Sequence, residues 1–295
     1  MARPAFHSVG LLPFFAGAAL AAHDGYPWRW ETAGTGAAAV FLIMLATYFL
    51  GEYYDFEGDS RNLNRNPFSG GSGALQSLAG FPRRYVLVAG YLAAAGAVIL
   101  GLILHFAFEV GAPALVLGAV GLVGGVFYSA KPFQWAYRGV GECFIGFCYG
   151  WLTVNMGYYV LAGEFTLLGT LLSIPVALSI TAVILINEFP DREADAASGK
   201  RNLVVTFGPQ RMAVLYALLI AGTAVTAWLV IWPAQGLVWP WLLGIILSTA
   251  VAGFALVGIV RGHYRHARTI QPICAATIAL NLLVSLQYLL FFSFR

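Results

Sequence analysis

The sequence predicts an all-α integral membrane protein, a bundle of nine transmembrane helices built from parallel-repeated units, with its amino terminus in the cytoplasm. Three observations carry that prediction. Of 295 residues, 60% are hydrophobic and only 10% are charged, against about 25% charged in an average soluble domain. The apolar residues fall in runs long enough to cross a hydrocarbon core, which takes roughly 20 residues of helix. The Lys and Arg residues are sorted between alternate loops. Lipid offers the backbone no hydrogen-bond partners, and the runs are continuous rather than alternating, so they are helices and not barrel strands.

In chain order, the first span covers about 5 to 23 and ends in GAALAAHDG, a small-residue ending that also resembles a signal-peptide cleavage site. The resemblance set out below favours a retained span. The second, 34 to 53, runs into a cluster of acids. The third, 84 to 107, follows Arg83 and Arg84, and the fourth covers 112 to 128. The fifth, 138 to 162, opens on RGVGE and carries Cys143 and Cys148. The sixth, 165 to 187, has no ionisable side chain from Phe165 to Ile186, then meets a second acid cluster. The seventh and eighth, 211 to 232 and 238 to 261, flank a short outer loop, and the ninth, 270 to 293, holds Cys274.

With the amino terminus inside, Arg3, Arg61, Arg65, Arg83, Arg84, Lys131, Arg138, Arg192, Lys200, Arg201, Arg211, Arg261, Arg265 and Arg268 share the inner face, and only Arg29 and Arg295 fall outside. Basic residues favour the cytoplasmic side, which fixes the orientation. Outer loops carry Asp24, Glu31, Glu109 and Glu164. The whole chain, 1–295, reads as one transmembrane domain with cytoplasmic motif loops at about 54–83 and 188–210. The three cysteines lack a CxxC pair and read as small buried residues. His263 and His266 read as interfacial, and nothing points to nucleic acid.

The two acid clusters are one pattern written twice. In GEYYDFEGDSRNLNRNP (51–67) and NEFPDREADAASGKRN (187–202), Glu52 matches Glu188, Asp55 matches Asp191, Glu57 matches Glu193 and Asp59 matches Asp195, at a constant offset. A constant offset is the mark of a duplicated unit. Four spans separate the copies, so both meet the same membrane face, unlike the inverted repeats of many transporters. Residues four apart lie about 40° apart around a helix, so Asp55 and Asp59 share a face, as do Asp191 and Asp195, with Asn187 one turn earlier. Glu57 and Glu193 point away. Pro190 removes a backbone hydrogen bond and predicts a kink that frees carbonyls near the acids.

Four aspartates facing one another repel unless a cation sits between them. Hard carboxylate oxygens suit Mg²⁺, which is usually held by a few carboxylates together with substrate phosphates. Arg65, Lys131, Arg138, Lys200 and Arg201 lie on the same side as candidate phosphate contacts. An EF-hand loop fails at Ser60 and Asn66, where Gly and Glu are needed. A phosphate head held beside a bundle rich in aromatic residues suits a lipid diphosphate. On ionisation, metal and basic groups would stabilise the departing diphosphate, and aromatic faces the allylic cation.

These motifs resemble the UbiA superfamily of intramembrane prenyltransferases. Its second motif, DxxxD, is matched at Asp191 and Asp195, and its first, NxxxDxxxD, at Asp55 and Asp59. YSAKPFQWAYRGVGE (128–142) is similar to its YxxK region at Tyr128 and Lys131. RGVGE, NPFSGGSG and GKRNLVVTFG look most like the menaquinone-type branch, which joins a polyprenyl diphosphate to 1,4-dihydroxy-2-naphthoate with loss of its carboxylate. The resemblance implies Mg²⁺ and diphosphate binding at Asp55, Asp59, Asp191 and Asp195, with Tyr128 and Lys131 beside the diphosphate. The leading Asn of the first motif is Gly51 here, followed by Glu52, and Asn187 and Glu52 are candidates to compensate.

The expected activity is therefore Mg²⁺-dependent transfer of a polyprenyl group to an aromatic quinone precursor, on the cytoplasmic side of a bacterial inner membrane and with its substrates drawn partly from membrane lipid. A superfamily member with another acceptor, or a membrane terpene cyclase, is the alternative. A transporter of cations or lipid phosphates would place acids near mid-span, where each costs about 2.5 to 3.5 kcal/mol, and these acids sit at span ends.

Overall fold

A computed structural model describes residues 4–78, 80–231 and 239–293. Arg3 and Arg295, which the charge pattern assigns to opposite faces, lie outside them. Long helices run over Pro4–His23 (α1), Trp30–Tyr54 (α2), Arg84–Phe106, Ala112–Ser129, Leu167–Ala197, Pro209–Ile231, Trp239–Val260 and Ala267–Ser293. Short helices Phe56–Arg61 (α3) and Ala74–Ser77 (α4) follow α2, so Arg84–Phe106 is α5 and Ala112–Ser129 is α6. Eight helices among the described residues are long and apolar enough to cross a membrane. The segment expected over 138 to 162 is built in pieces: α7 (Gly141–Gly146), a π-helical turn (Phe147–Leu152) and α8 (Thr153–Ala162). The remaining helices are α9 (Leu167–Ala197), α10 (Leu203–Phe207), α11 (Pro209–Ile231), α12 (Trp239–Val260) and α13 (Ala267–Ser293). No strand occurs among the described residues.

Small residues set how closely the helices approach. A methyl at Gly17 would overlap the Val154 carbonyl and one at Gly157 the Phe14 carbonyl, so α1 and α8 cross backbone to backbone, the packing that lipid-embedded helices favour. α1 also lies along α13, α2 along α5, and α9 between α11 and α13. Phe14, Leu20, Leu185, Tyr216, Ile273 and Phe291 are buried where these helices meet. Large apolar side chains such as Leu218, Leu229, Leu243 and Val257 are exposed around the outside, as a lipid-facing surface requires.

The two ends of the bundle differ. At one, Tyr26 donates to Glu164, Tyr158 donates to Asp24 at 3.0 Å, and the Arg29 guanidinium reaches the Leu161 carbonyl. The other gathers the C-terminal ends of α2 and α9 with the loops after α3, α6 and α9. Both acid clusters therefore stand at one end of the bundle, as a parallel repeat requires.

Pro190, where a kink is expected, does not interrupt its helix. α9 runs unbroken through Pro175 and Pro190 to Ala197. The carbonyl that Pro190 cannot bond is that of Ile186, one turn earlier, and the Cys274 thiol lies 4.0 Å from it as a weak donor. The break is in the first copy, where α2 ends at Tyr54 and α3 begins at Phe56. Of the cysteines, Cys274 is buried, Cys148 is intermediate, and Cys143 is exposed rather than buried as its apolar surroundings suggested.

Candidate active site

The acid end holds a cavity of about 220 Å³. Phe6, Val9, Ile145, Tyr149, Ile180 and Val183 wall its deep part, and Glu52, Asp55, Asp59, Asn187, Glu188, Asp191, Asp195 and Lys200 line its polar end with Tyr128 at the side. The helical break at Asp55 does not disturb the spacing of the first copy, because Asp59 N still donates to the Asp55 carbonyl at 2.9 Å. Each aspartate thus repeats one turn later on the same face. Glu57 and Glu193 are exposed and outside the cavity lining.

Three of the aspartates, Asp55, Asp191 and Asp195, are held by donors from elsewhere in the chain. Asp55 accepts from the Ser129 hydroxyl and the Tyr137 phenol, both at 2.8 Å. Asp191 accepts from the Asn62 amide at 2.6 Å and from Gly70 N at 2.8 Å. Asp195 accepts from the Asn202 amide at 2.8 Å, and Asn202 also caps α10 by accepting from Val205 N. Glu52 accepts from Ser72 N at 2.6 Å. The glycine-rich loop is folded against these acids: Gly70 and Gly71 both have positive φ, and a methyl on Gly71 would overlap the Asp59 carboxylate.

Lys200 stands between the copies. Its ammonium lies 3.6 Å from Asp55 and 3.5 Å from Asp195, and 5.3 Å from the centre of the Tyr137 ring. Burial opposes its charge, yet Asp55 and Asp195 hold its ammonium well above the usual lysine value. Burial drives the Asp59 carboxyl up to about 7 against the pull of Lys200, with Asp55, Asp191 and Glu52 pushing the same way as burial. Burial, then the Asp55 carboxylate, also push the Tyr137 phenol up.

The other cations nominated from the sequence take different places. Arg65 donates to the Asp59 carbonyl at 2.7 Å and packs against Gly70 and Gly73, bracing the loop. Lys131, Arg138 and Arg201 are exposed and outside the cavity lining; Arg138 donates to the Pro132 carbonyl, and the amide of Arg201 to the Tyr137 carbonyl. Four further groups escaped the sequence reading: Asn62, Ser129, Tyr137 and Asn202 all touch the aspartates from loops or helix ends, where no period marks them. Glu142, the acid of RGVGE, is buried and accepts from Leu203 N at 2.8 Å, beside Glu188.

Among the described residues no three His, Cys, Asp or Glu side chains are grouped to hold a metal on their own, and the Lys200 ammonium supplies the positive charge between the copies. The donor set nevertheless fits Mg²⁺. Carboxylate oxygens come from both copies, and Asn187 Oδ1, on the cavity wall, is buried with no hydrogen-bond partner. Mg²⁺ keeps several waters and needs only a few such oxygens beside those of a phosphate.

Residues 10–288 match the model of the UbiA prenyltransferase family. A 1,4-dihydroxy-2-naphthoate octaprenyltransferase of Bacillus subtilis (strain 168) is 30% identical over 218 residues, 72% of this chain and 67% of that relative. An apo UbiA homolog from Aeropyrum pernix K1 superposes with a TM-score of 0.72 at 18% identity, over 97% of this chain and 98% of that one. A UbiA homolog from Archaeoglobus fulgidus bound to GPP and Mg²⁺ superposes with a TM-score of 0.62 at 16% identity, over 96% and 97%. At those identities the structural likeness speaks for the fold.

Proposed function

The chain belongs to the UbiA prenyltransferase family, and from that premise we propose that this membrane enzyme transfers a polyprenyl group from its diphosphate to an aromatic quinone precursor, 1,4-dihydroxy-2-naphthoate or a close relative. One observation carries the reading: two matched pairs of aspartates line the polar end of a cavity whose deeper walls are apolar. A diphosphate with a hydrocarbon tail is the ligand whose two halves match those two halves. The name of the Bacillus subtilis relative supports the acceptor, and the Mg²⁺ and GPP bound by the Archaeoglobus homolog support the metal and the donor.

Asp55, Asp59, Asp191 and Asp195, with the free amide oxygen of Asn187, would hold Mg²⁺. When bound, the metal neutralises the diphosphate and stabilises its departure. Lys200 already sits among these acids, within reach of a diphosphate that bridges them. Tyr128 flanks the position where the allylic carbon would lie, and its ring face can stabilise positive charge there. The walls around Ile145 and Ile180 exclude water that would capture the cation. The carbon–oxygen bond breaks with its electron pair leaving on diphosphate, the allylic carbon bonds to a ring carbon of the acceptor, and the acceptor loses its carboxylate as carbon dioxide. Arg65, Lys131, Arg138 and Arg201 form a basic rim that draws anionic substrates to the cavity, while Glu52 keeps the glycine loop in place. The concentration of Arg and Lys at the acid end supports a cytoplasmic active site, and 1–295 acts as one transmembrane unit.

The test is mass spectrometry of products from purified protein, Mg²⁺, prenyl diphosphates of several lengths and a panel of aromatic acids. Prenylated, decarboxylated 1,4-dihydroxynaphthalene is the expected product, and EDTA should prevent it. Hydrocarbon or alcohol from diphosphate alone would make the protein a cyclase, and full turnover in EDTA would remove the aspartates from the chemistry.

A further inference from the structure

We propose that a basic pocket across α9 from the acid cavity holds the phosphate head group of an anionic phospholipid, and that the bound lipid braces the loop that holds Asp191. α9 separates the two spaces. Asp191 and Asp195 line the acid cavity, whereas Phe189, Arg192 and Glu193 line a pocket of about 480 Å³ at the same end of the bundle. The loop between α12 and α13 closes it with Tyr264, Arg265 and His266, and Arg268 follows on α13. Its floor is aromatic, the Phe189 and Tyr264 rings meeting edge to face at 5.5 Å.

Charge identifies the occupant. Arg192, Arg265 and Arg268 border the pocket against one acid, Glu193. None of the three is in an ion pair: among the described residues, ion pairs are confined to His23 and Lys200. Guanidinium forks match phosphate oxygens, so an anion relieves the mutual repulsion of the three. α11 and α13 both begin on the pocket, at Pro209 and Ala267, and helix starts favour negative charge. A soluble phosphate would satisfy the charge alone. A phospholipid also matches the surroundings, because the first turns beyond the pocket expose Val214 on α11 and Val260 on α12. Basic pockets between membrane helices are where anionic head groups bind.

The pocket also touches the loop after the first acid cluster. Asn64 lines it, and Asn64 N donates to Asn62 Oδ1 at 2.9 Å. Asn62 in turn donates to Asp191 at 2.6 Å, and Arg192 is the residue next to that aspartate. A head group between Arg192 and Asn64 therefore secures both sides of the Asn62 to Asp191 contact. Lipid bound here would steady the acid cavity without entering it.

The experiment needs no turnover, so its failure is separate from any failure of the prenyl-transfer reading. Full-length protein in neutral detergent with EDTA is titrated with dioctanoyl-phosphatidylglycerol, dioctanoyl-phosphatidylcholine and the deacylated head group glycerophosphoglycerol, following melting temperature and limited proteolysis over 62–73. Phosphatidylglycerol should raise the melting temperature and protect the loop, and the other two should do neither. Arg265→Ala with Arg268→Ala should weaken its apparent affinity by about tenfold or more, the scale of two lost head-group contacts. Arg83→Ala with Arg84→Ala, which removes the same charge elsewhere, should leave it unchanged. An equal response to phosphatidylcholine, or equal loss in both double variants, overturns the site. An equal response to glycerophosphoglycerol overturns the lipid as its occupant, and binding without loop protection overturns the brace. Should the first double variant fail to fold, Arg268→Gln against Arg84→Gln makes the same comparison.

Discussion

The two acid clusters carry the same aspartates at the same spacing, yet they are built differently. The second, at Asp191 and Asp195, rides on one continuous helix despite its proline. The first straddles a break, with Asp55 closing α2 and Asp59 inside α3. Each cluster is held by a loop that follows the other. Asn62 and Gly70, after the first cluster, bind Asp191, and Lys200, after the second, reaches Asp55. Duplication has produced a reciprocal clasp rather than two independent sites. Neither half is complete alone, so damage to one copy should spread to the other.

The largest expected effect comes from removing one charge from either copy. Asp191→Asn and Asp55→Asn should each lower product formation by roughly 100-fold or more, the scale seen when one preorganised group is removed from a charged transition state. Asp191→Asn also turns an amide toward Asn62 and Gly70, so it should loosen the glycine loop, and limited proteolysis over 62–73 would read that out. Asp55→Asn leaves those contacts intact and should not expose the loop. Equal loop protection in both variants would break the clasp as a description.

Next in size is Lys200, which is only 13% exposed between two carboxylates. Removing one partner of a buried ion pair costs about 3 kcal/mol. Lys200→Met should therefore melt at a lower temperature in EDTA, and Mg²⁺ should restore much of the loss by supplying the missing positive charge. Equal destabilisation with and without Mg²⁺ would show that Lys200 does not stand in for the metal.

The contrast between the copies also explains what could be read from sequence alone. Spans are local, and an apolar run announces itself without any partner, so α1, α2, α5, α6, α9 and α11 to α13 were legible from composition. The aspartate rows were legible because a spacing of four is a property of one helix. The clasp was not. Ser129, Tyr137 and Asn202 reach the aspartates across the bundle from segments with no periodicity, and nothing in one sequence joins Asn62 to Asp191. Charge misled for the same reason: Arg201 adjoins Lys200 in sequence and Lys131 was assigned to the same membrane face, but of the three only Lys200 lines the cavity. Pro190 pointed to an irregular turn because propensity is local, whereas α9 continues through it as a helix packed along α11 and α13.

The pH response probes single acids more finely. Asp59, with its carboxyl pushed up to about 7 by burial, must lose a proton before it can serve Mg²⁺. Apparent Mg²⁺ affinity, measured by calorimetry, should fall by up to about tenfold per pH unit below that value, with proton release on binding. Without metal the sign reverses. An acid whose pKa is raised by folding destabilises the folded state as it ionises, so this contribution lowers the melting temperature as pH climbs from the ordinary carboxylate range to above 7. Asp59→Asn should flatten both dependences, and persistence of either would assign it to another group.

The smallest effect should come from making the copies more alike. Gly51 occupies the position matching Asn187, it lines the cavity, and a methyl added there would meet nothing nearer than Ser129 Oγ at 3.8 Å. Gly51→Asn thus has room, and replacing a helical glycine should raise stability by a few tenths of a kcal/mol. Its amide oxygen would stand one turn before Asp55, as that of Asn187 stands before Asp191. If the first copy is the weaker half of the metal site for want of this ligand, the variant should reach half-maximal turnover at lower Mg²⁺, with little change at saturation. If the Mg²⁺ dependence stays put while stability rises, the site is already complete without that oxygen, and the asymmetry at Gly51 belongs to the acceptor side of the cavity.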